Sequence, residues 1–435
     1  MVQAVARNTA QAWNLMTSYD RPMFSCRTHW KLDPNRLTLA YRAALHEGRD
    51  KQLIDLTVSN PTLAGIEYDH ETIFSALQDP KTLTYDPQPN GLRAARQAIA
   101  DYYSKSHLGM PHPSRGGGSF DLDDIILTTS TSEGYSFIFR LLCNPGEEIL
   151  VPKPSYPLFD FLADLNDVKL IGYPLIYDQG WQIDFPSLER VVTERTRAVV
   201  VVHPNNPTGS YVSCGELRQL NEISRRHDLA IIADEVFLDY RLRFIASQDN
   251  PSVPHKAREY ESLAHNHHVL TFTLSGLSKI SALPQMKLAW IVVNGPEPHR
   301  RVALERLEVI ADTYLSLNTP VQLAAKVLLD QRRSVQPQLM SRIRENLTEL
   351  DRQLASQRSC ERLIIDGGWY AILRVPVTQS DEDLAIALLK NCSVLVHPGH
   401  FYDFPRDGYL ILSLITPSAP FRLGLSRLLE FVRNL

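Results

Sequence analysis

Six short apolar runs recur through the middle of the chain, spaced widely enough for a helix between each pair. They are D-I-I-L-T-T (Asp124–Thr129), E-E-I-L-V-P (Glu147–Pro152), R-A-V-V-V-V-H (Arg197–His203), L-A-I-I-A-D (Leu229–Asp234), H-V-L-T-F-T-L (His268–Leu274) and L-A-W-I-V-V (Leu288–Val293). Continuous Val/Ile runs without polar alternation predict strands covered on both faces. Between them, Leu217, Leu220 and Ile223 recur at helical spacing in the stretch from Cys214 to His227. Alternating strands and helices predict an α/β fold with a mostly parallel central sheet flanked by helices.

The pattern changes near residue 300. Arg300 to Gln357 reads as a long helical segment, broken near Asn318-Thr319-Pro320 and again near Pro337. After it, G-G-W-Y-A-I-L-R-V (Gly367–Val375), V-L-V-H-P-G (Val394–Gly399) and Y-L-I-L-S-L (Tyr409–Leu414) read as strands of a smaller α+β domain. P-H-P-S-R-G-G-G-S (Pro111–Ser119) reads as a flexible surface loop.

Composition narrows the classes. With 435 residues, 44% of them hydrophobic, the chain exceeds the needs of one small core, so two domains are expected. A net charge of −4 with no basic block argues against nucleic acid as a partner. No apolar run approaches the roughly 20 residues that span a bilayer, so no membrane partner is expected. Cys26, Cys143, Cys214, Cys360 and Cys392 are scattered, with no C-x-x-C. That spacing suggests neither a metal site nor a disulfide framework, and a reducing, cytoplasmic compartment is expected. The first 19 residues hold one arginine and no acid but lack a hydrophobic segment, so they read as a loose N-terminal arm.

Three features sit at the ends of predicted strands, where open α/β sheets bind ligands. H-P-N-N-P-T-G (His203–Gly209) turns sharply after four valines and holds Asn205 and Asn206. Asp234 closes L-A-I-I-A-D, where a carboxylate is costly without a cation or donors. Lys279 follows Ser275, Gly276 and Ser278, and an amine near apolar neighbours becomes a nucleophile toward carbonyls. Singly, these features suit a tight connection, a helix cap and a snorkelling surface lysine. Together they suit a heterocyclic aldehyde held as a Schiff base, its ring nitrogen facing Asp234.

P-N-N-P-T-G, then D-E-V-F, then S-G-L-S-K followed by P-Q-M-K-L-A-W resembles the fold-type I pyridoxal-phosphate aminotransferases, class I/II branch. The resemblance runs from about Leu56 to the C-terminus. It implies pyridoxal 5'-phosphate as cofactor, with Lys279 as the Schiff-base lysine and proton carrier and Asp234 as the acid on the ring nitrogen. It further implies Asn206 on the phenolic oxygen and Tyr156 stacked on the ring. Thr131 and Ser132, with Ser278 and Lys287, would hold the phosphate at a helix N-terminus. Tyr85 would reach the phosphate of a neighbouring subunit, which implies a homodimer with shared active sites. The implied division is an N-terminal arm with part of the small domain (1–80), a large cofactor-binding domain (81–300) and a small C-terminal domain (301–435). The implied activity is ping-pong transfer of an amino group between a small amino acid and a 2-oxo acid. A pyridoxal-phosphate lyase or ring-forming synthase, or a transaminase for an amine without the usual carboxylate contact, is the alternative. A non-catalytic cofactor-binding module is disfavoured because Lys279, Asp234 and Asn206 are all present.

Four positions depart from that family's pattern. Phe237 stands where a tyrosine is usual, leaving Tyr240 as a possible substitute. Gly276 replaces a hydroxyl residue, leaving Ser275 or Ser278, and Lys287 replaces an arginine fork. Ile411 stands where the resemblance calls for the arginine that grips the substrate carboxylate. Arg27, Arg374 and Arg422 are the alternative carboxylate partners. Asn60 falls in the implied substrate-facing loop, and His397, His400 and Tyr402 would line its mouth.

Overall fold

The computed structural model describes residues 23–48, 52–104, 121–157, 159–242 and 260–435. The N-terminal arm up to residue 19 and the Pro111–Ser119 loop lie outside the described residues.

After helix Arg36–His46 and a short strand β1 (Ile54–Asp55), the chain builds an eight-stranded sheet. Its strands are β2 (Ile125–Thr128), β3 (Glu148–Lys153), β4 (Lys169–Tyr177), β5 (Trp181–Ile183), β6 (Thr196–Val202), β7 (Ala230–Asp234), β8 (Thr271–Gly276) and β9 (Ala289–Asn294). They lie in the order β2-β9-β8-β7-β6-β3-β4-β5. The central strands β4, β3, β6, β7 and β8 run parallel, and β9 runs antiparallel to both β8 and β2.

The valine run explains the layering. Ala198, Val200 and Val202 face a core with helices Thr131–Leu142 and Glu297–Tyr314, while Val199 and Val201 face a second core with helix Cys214–Arg226. Both faces are thus dry, as an unbroken apolar run demands. Helix Cys214–Arg226 starts on a capping box in which Ser213 and Glu216 satisfy each other's backbone N–H groups.

Six strands fall on the six predicted runs, within a few residues at each end. The sequence pattern did not announce β4 or β5. β4 holds Gly172 and Pro174, and most of its side chains are half-exposed, so neither an apolar run nor a clean alternation marks it. Gly172 leaves room for the Lys153 side chain, whose outer carbons cross it from the neighbouring strand.

The C-terminal part holds a four-stranded antiparallel sheet of β10 (Glu361–Arg362), β11 (Tyr370–Arg374), β14 (Tyr409–Ser413) and β13 (His397–Pro398). A separate parallel pair joins β1 to β12 (Val394–Leu395), with Ile54 opposite Val394. Leu37, Ile54 and Leu56 therefore share one core with Leu339, Ile343, Leu388 and Leu428, far away in sequence. The expected helical break at Asn318 is present, and Asn318 caps helix Thr319–Leu323. No break occurs at Pro337, which lies within the continuous helix Arg332–Leu354. The division expected at 300/301 falls inside helix Glu297–Tyr314, whose Ala303, Leu307 and Ala311 pack into a core of the large sheet.

The five cysteines are free thiols, and no His/Cys/Asp/Glu cluster among the described residues could hold a metal ion. No helix among the described residues is long and apolar enough to cross a membrane.

Candidate active site

Strand direction gathers the chemistry at one edge of the sheet. β3, β6, β7 and β8 are parallel, and β2 shares their direction because it flanks β9 from the other side. Their carboxyl ends deliver Tyr156 after β3, Asn206 after β6, Asp234 at the end of β7, Lys279 after β8 and Thr131 after β2. Gly276 pairs with Ala289, so Lys287 enters β9 at the same edge. This is the crevice in which open α/β sheets receive ligands.

Lys279 lies on the short helix Leu277–Ile280. Its Nζ is 4.8 Å from the centre of the Trp369 ring and 5.5 Å from that of Phe237. Burial pushes the ammonium down to about 8, only partly opposed by the charge of Asp234. A lysine so placed offers a neutral amine at mildly alkaline pH.

Asp234 accepts two hydrogen bonds at 3.2 Å, from the Val236 N–H to Oδ1 and from the Tyr135 hydroxyl to Oδ2. Burial raises its carboxyl to about 6, and those two donors and Lys279 hold it from going higher. A buried carboxylate in this state gains from a cation placed beside it.

The two asparagines of P-N-N-P-T-G divide their labour. Asn205 holds the turn: its Oδ1 accepts from the Thr208 hydroxyl at 3.0 Å and its carbonyl from the Gly209 N–H at 2.7 Å. Gly209 has φ +68°, and a Cβ there would lie 2.5 Å from the Gly367 carbonyl, so only glycine closes the turn without strain. Asn206 is left with a buried Oδ1 that has no partner. The Tyr156 loop is tied to this turn and to the small sheet, since the Ser155 N–H donates to the Tyr402 carbonyl at 2.9 Å and Asn205 Nδ2 to Ser155 Oγ at 3.4 Å.

Helix Thr131–Leu142 has Ser130 as its N-cap, accepting from the Glu133 N–H, and Glu133 in turn accepts from the Thr129 N–H. The half-buried Thr131 and Ser132 carry first-turn N–H groups that have no acceptor within the helix. Such an end favours an anion. Ser278 is half-buried on the Lys279 helix, and Lys287 is exposed with a left-handed backbone. Ser275 is turned toward the Glu235 carbonyl at 3.4 Å. Gly276 packs against β9, where a Cβ would meet Ala289 at 2.9 Å.

Other expected residues lie elsewhere or serve the backbone. Tyr240 does not replace the hydroxyl missing at Phe237, because it donates to the main-chain carbonyl of Lys279 at 2.6 Å. Arg27 is exposed and paired with Asp167. Arg422 is exposed on helix Ser418–Arg433, 3.7 Å from Glu349. Arg374 pairs with Glu361 at 3.0 Å. Asn60 caps the turn Pro61–Leu63 by accepting from Thr62. Tyr85 is 77% exposed, away from any packed core. Ile411 is buried between Ile372 and His397 on the neighbouring strands. His397 Nδ1 is 3.1 Å from the Tyr402 hydroxyl, and burial lowers the imidazole to about 4, so it is neutral. His400 is exposed. Trp369 and Tyr135, which touch Lys279 and Asp234, were not singled out in the sequence. Trp369 sits inside an apolar run that reads only as strand, and Tyr135 on an apolar helix face.

These residues fit pyridoxal phosphate. The Asn206 side chain, with its Nδ2 donor, the desolvated amine, the buried carboxylate and the open helix end suit its phenolic oxygen, aldehyde, ring nitrogen and phosphate in turn. The fold and this set of groups define a pyridoxal-phosphate enzyme of fold type I.

The family profile for aminotransferase class I and II matches residues 51–416. The chain is 27% identical over 397 residues to the alanine aminotransferase of Mycobacterium tuberculosis, covering 90% of this chain and 88% of that one. It is 26% identical over 401 residues to the glutamate-pyruvate aminotransferase AlaA of Escherichia coli K12, covering 89% and 92%. The solved alanine aminotransferase of Pyrococcus furiosus superposes with a TM-score of 0.79 at 23% identity, over 92% of this chain and 96% of that one. The chain belongs to the class I and II aminotransferase family. It is a pyridoxal-phosphate-dependent amino acid aminotransferase, and the lyase or synthase alternative is not favoured.

Proposed function

We propose that the chain moves an amino group between a small amino acid and a 2-oxo acid of the alanine, glutamate and pyruvate group, with Lys279 as covalent anchor and proton carrier. The relatives' names support the substrate class. The observation that carries the residue assignment is the placement of Lys279 at the end of β8, beside the β7 end that bears Asp234, with its amine 4.8 Å from the Trp369 ring centre and lowered to about 8 by burial. The bound cofactor supplies an electron sink for the pair left when Cα loses its proton. Asp234 keeps the ring nitrogen protonated, Asn206 bonds the phenolic oxygen and Tyr156 covers the ring. The open end of helix Thr131–Leu142, with Ser278 and Lys287, holds the phosphate. The Lys279 amine, once free, would take the Cα proton and would give it back to the carbon that was the aldehyde.

Tyr85 would complete the phosphate site of a second copy, and its exposure beside the 92% exposed Leu83 supports a homodimer. Near-neutral charge and free thiols support a cytoplasmic setting.

Borohydride reduction of the cofactor-loaded protein, followed by peptide mapping, should label Lys279; label on another lysine refutes the assignment. Incubation with alanine or glutamate should convert the cofactor stoichiometrically to its aminated form. With a β-substituted amino acid such as serine or cysteine, whose β-group can leave, steady release of pyruvate and ammonia without a keto acceptor would refute transfer.

A further inference from the structure

We propose that Tyr135 is a positioning residue for the reaction, its hydroxyl fixing the Asp234 carboxylate toward the cofactor's ring nitrogen. The proposal rests on the reading of Asp234 given above. Tyr135 lies in the middle of helix Thr131–Leu142 and is 3% exposed. Its ring is clamped edge-on by Phe159 at 5.2 Å, with Phe139 at 5.9 Å. The helix presses closely on the sheet here: a Cβ on the preceding Gly134 would lie 2.6 Å from Leu274 of β8. That depth brings the Tyr135 hydroxyl to 3.2 Å from Asp234 Oδ2.

A phenol buried among aromatics needs a hydrogen-bond partner, and this one has a charged partner. Burial and the Asp234 charge both push the Tyr135 hydroxyl far above its ordinary range, so it stays protonated and donates. The Val236 N–H secures the other carboxylate oxygen. Each oxygen keeps a lone pair for a further donor. The carboxylate is thereby fixed in rotation before the cofactor arrives. Without the phenol, Oδ2 would be a buried acceptor with no protein donor, and the carboxyl would shift toward its neutral form.

Two variants test this, Tyr135→Phe and the more adaptable Tyr135→Met, each compared with wild type by melting curve. The readout is the dissociation constant of the cofactor, titrated by absorbance into cofactor-free protein. Pyridoxal phosphate is compared with its analogue carrying carbon in place of the ring nitrogen. The expected result is binding of pyridoxal phosphate weaker by roughly tenfold or more, as for loss of a hydrogen bond to a charged group, with analogue binding unchanged. Equal weakening of both ligands assigns Tyr135 a packing role only and overturns the proposal. Unchanged binding of both overturns it as well. A wild type that binds the analogue as tightly as pyridoxal phosphate removes the role of Asp234, and the proposal falls with it.

Discussion

The Tyr240 hydroxyl donates to the main-chain carbonyl of Lys279 at 2.6 Å, so this phenol anchors the backbone of the reactive lysine and not the ligand. Tyr240→Phe deletes one buried hydrogen bond, worth about 1–2 kcal/mol. The melting temperature should fall by a few degrees, while the pH at which the bound cofactor changes colour stays in place. Phe237→Tyr should do the reverse: it adds a hydroxyl beside Lys279 and should lower that colour-change pH. Spectrophotometric pH titration of both variants checks the pair.

Cofactor-free protein should gain stability with rising pH through the titration of Lys279. The folded chain gives up this proton at about 8 and an exposed lysine near 10.5. Between those values the unfolded chain binds the proton and the folded chain does not, so stability rises with pH across the window. Lys279→Met lacks the titration. It should melt above wild type at about pH 7, and the gap should close toward the upper end of the window. A gap that stays constant with pH would contradict the burial argument.

Asp234→Asn removes the charge opposite Lys279 and the partner of Tyr135. Turnover with alanine or glutamate should drop by roughly a hundredfold or more, since an electrostatic contact at the reacting system is lost. Single-turnover kinetics should place the loss in the proton-transfer step.

Ile411 is 1% exposed on β14. Ile411→Ala should cost about 2–5 kcal/mol through the cavity it leaves. Ile411→Arg inserts a cation beside a neutral His397, and the cofactor-free variant should also melt lower. A carboxylate-bearing substrate should recover part of that loss and show a lower KM than with wild type.

Tyr85→Ala should leave the large sheet intact, because the side chain is outside its core. It should weaken cofactor binding only if a second copy receives the hydroxyl. Light scattering and cofactor titration on one sample, at dilutions spanning dissociation, separate the two effects.

The large sheet was legible because burial on both faces forces unbroken Val/Ile runs, as at Ala198 to Val202. Lys279, Asp234 and Asn206 were legible because each follows directly on such a run. β4, next to the last strand of the sheet, was not, since a half-exposed strand carrying Gly172 and Pro174 keeps no simple period. The acidic partners of Arg27, Arg374 and Arg422 were not legible either: Asp167 and Arg27, for example, are joined only by tertiary packing. Tyr135 escaped notice for a related reason. An aromatic on an apolar helix face looks like core until β7 is found to end beneath it.

The pairing of β1 with β12 sets an order on biosynthesis. Ile54 leaves the ribosome early, but its hydrogen-bonding neighbours around Val394 are made only near the end of translation. Until then Leu37, Ile54 and Leu56 have no complete core to enter. The small core that holds these three side chains can therefore close only after the C-terminal third of the chain has been made.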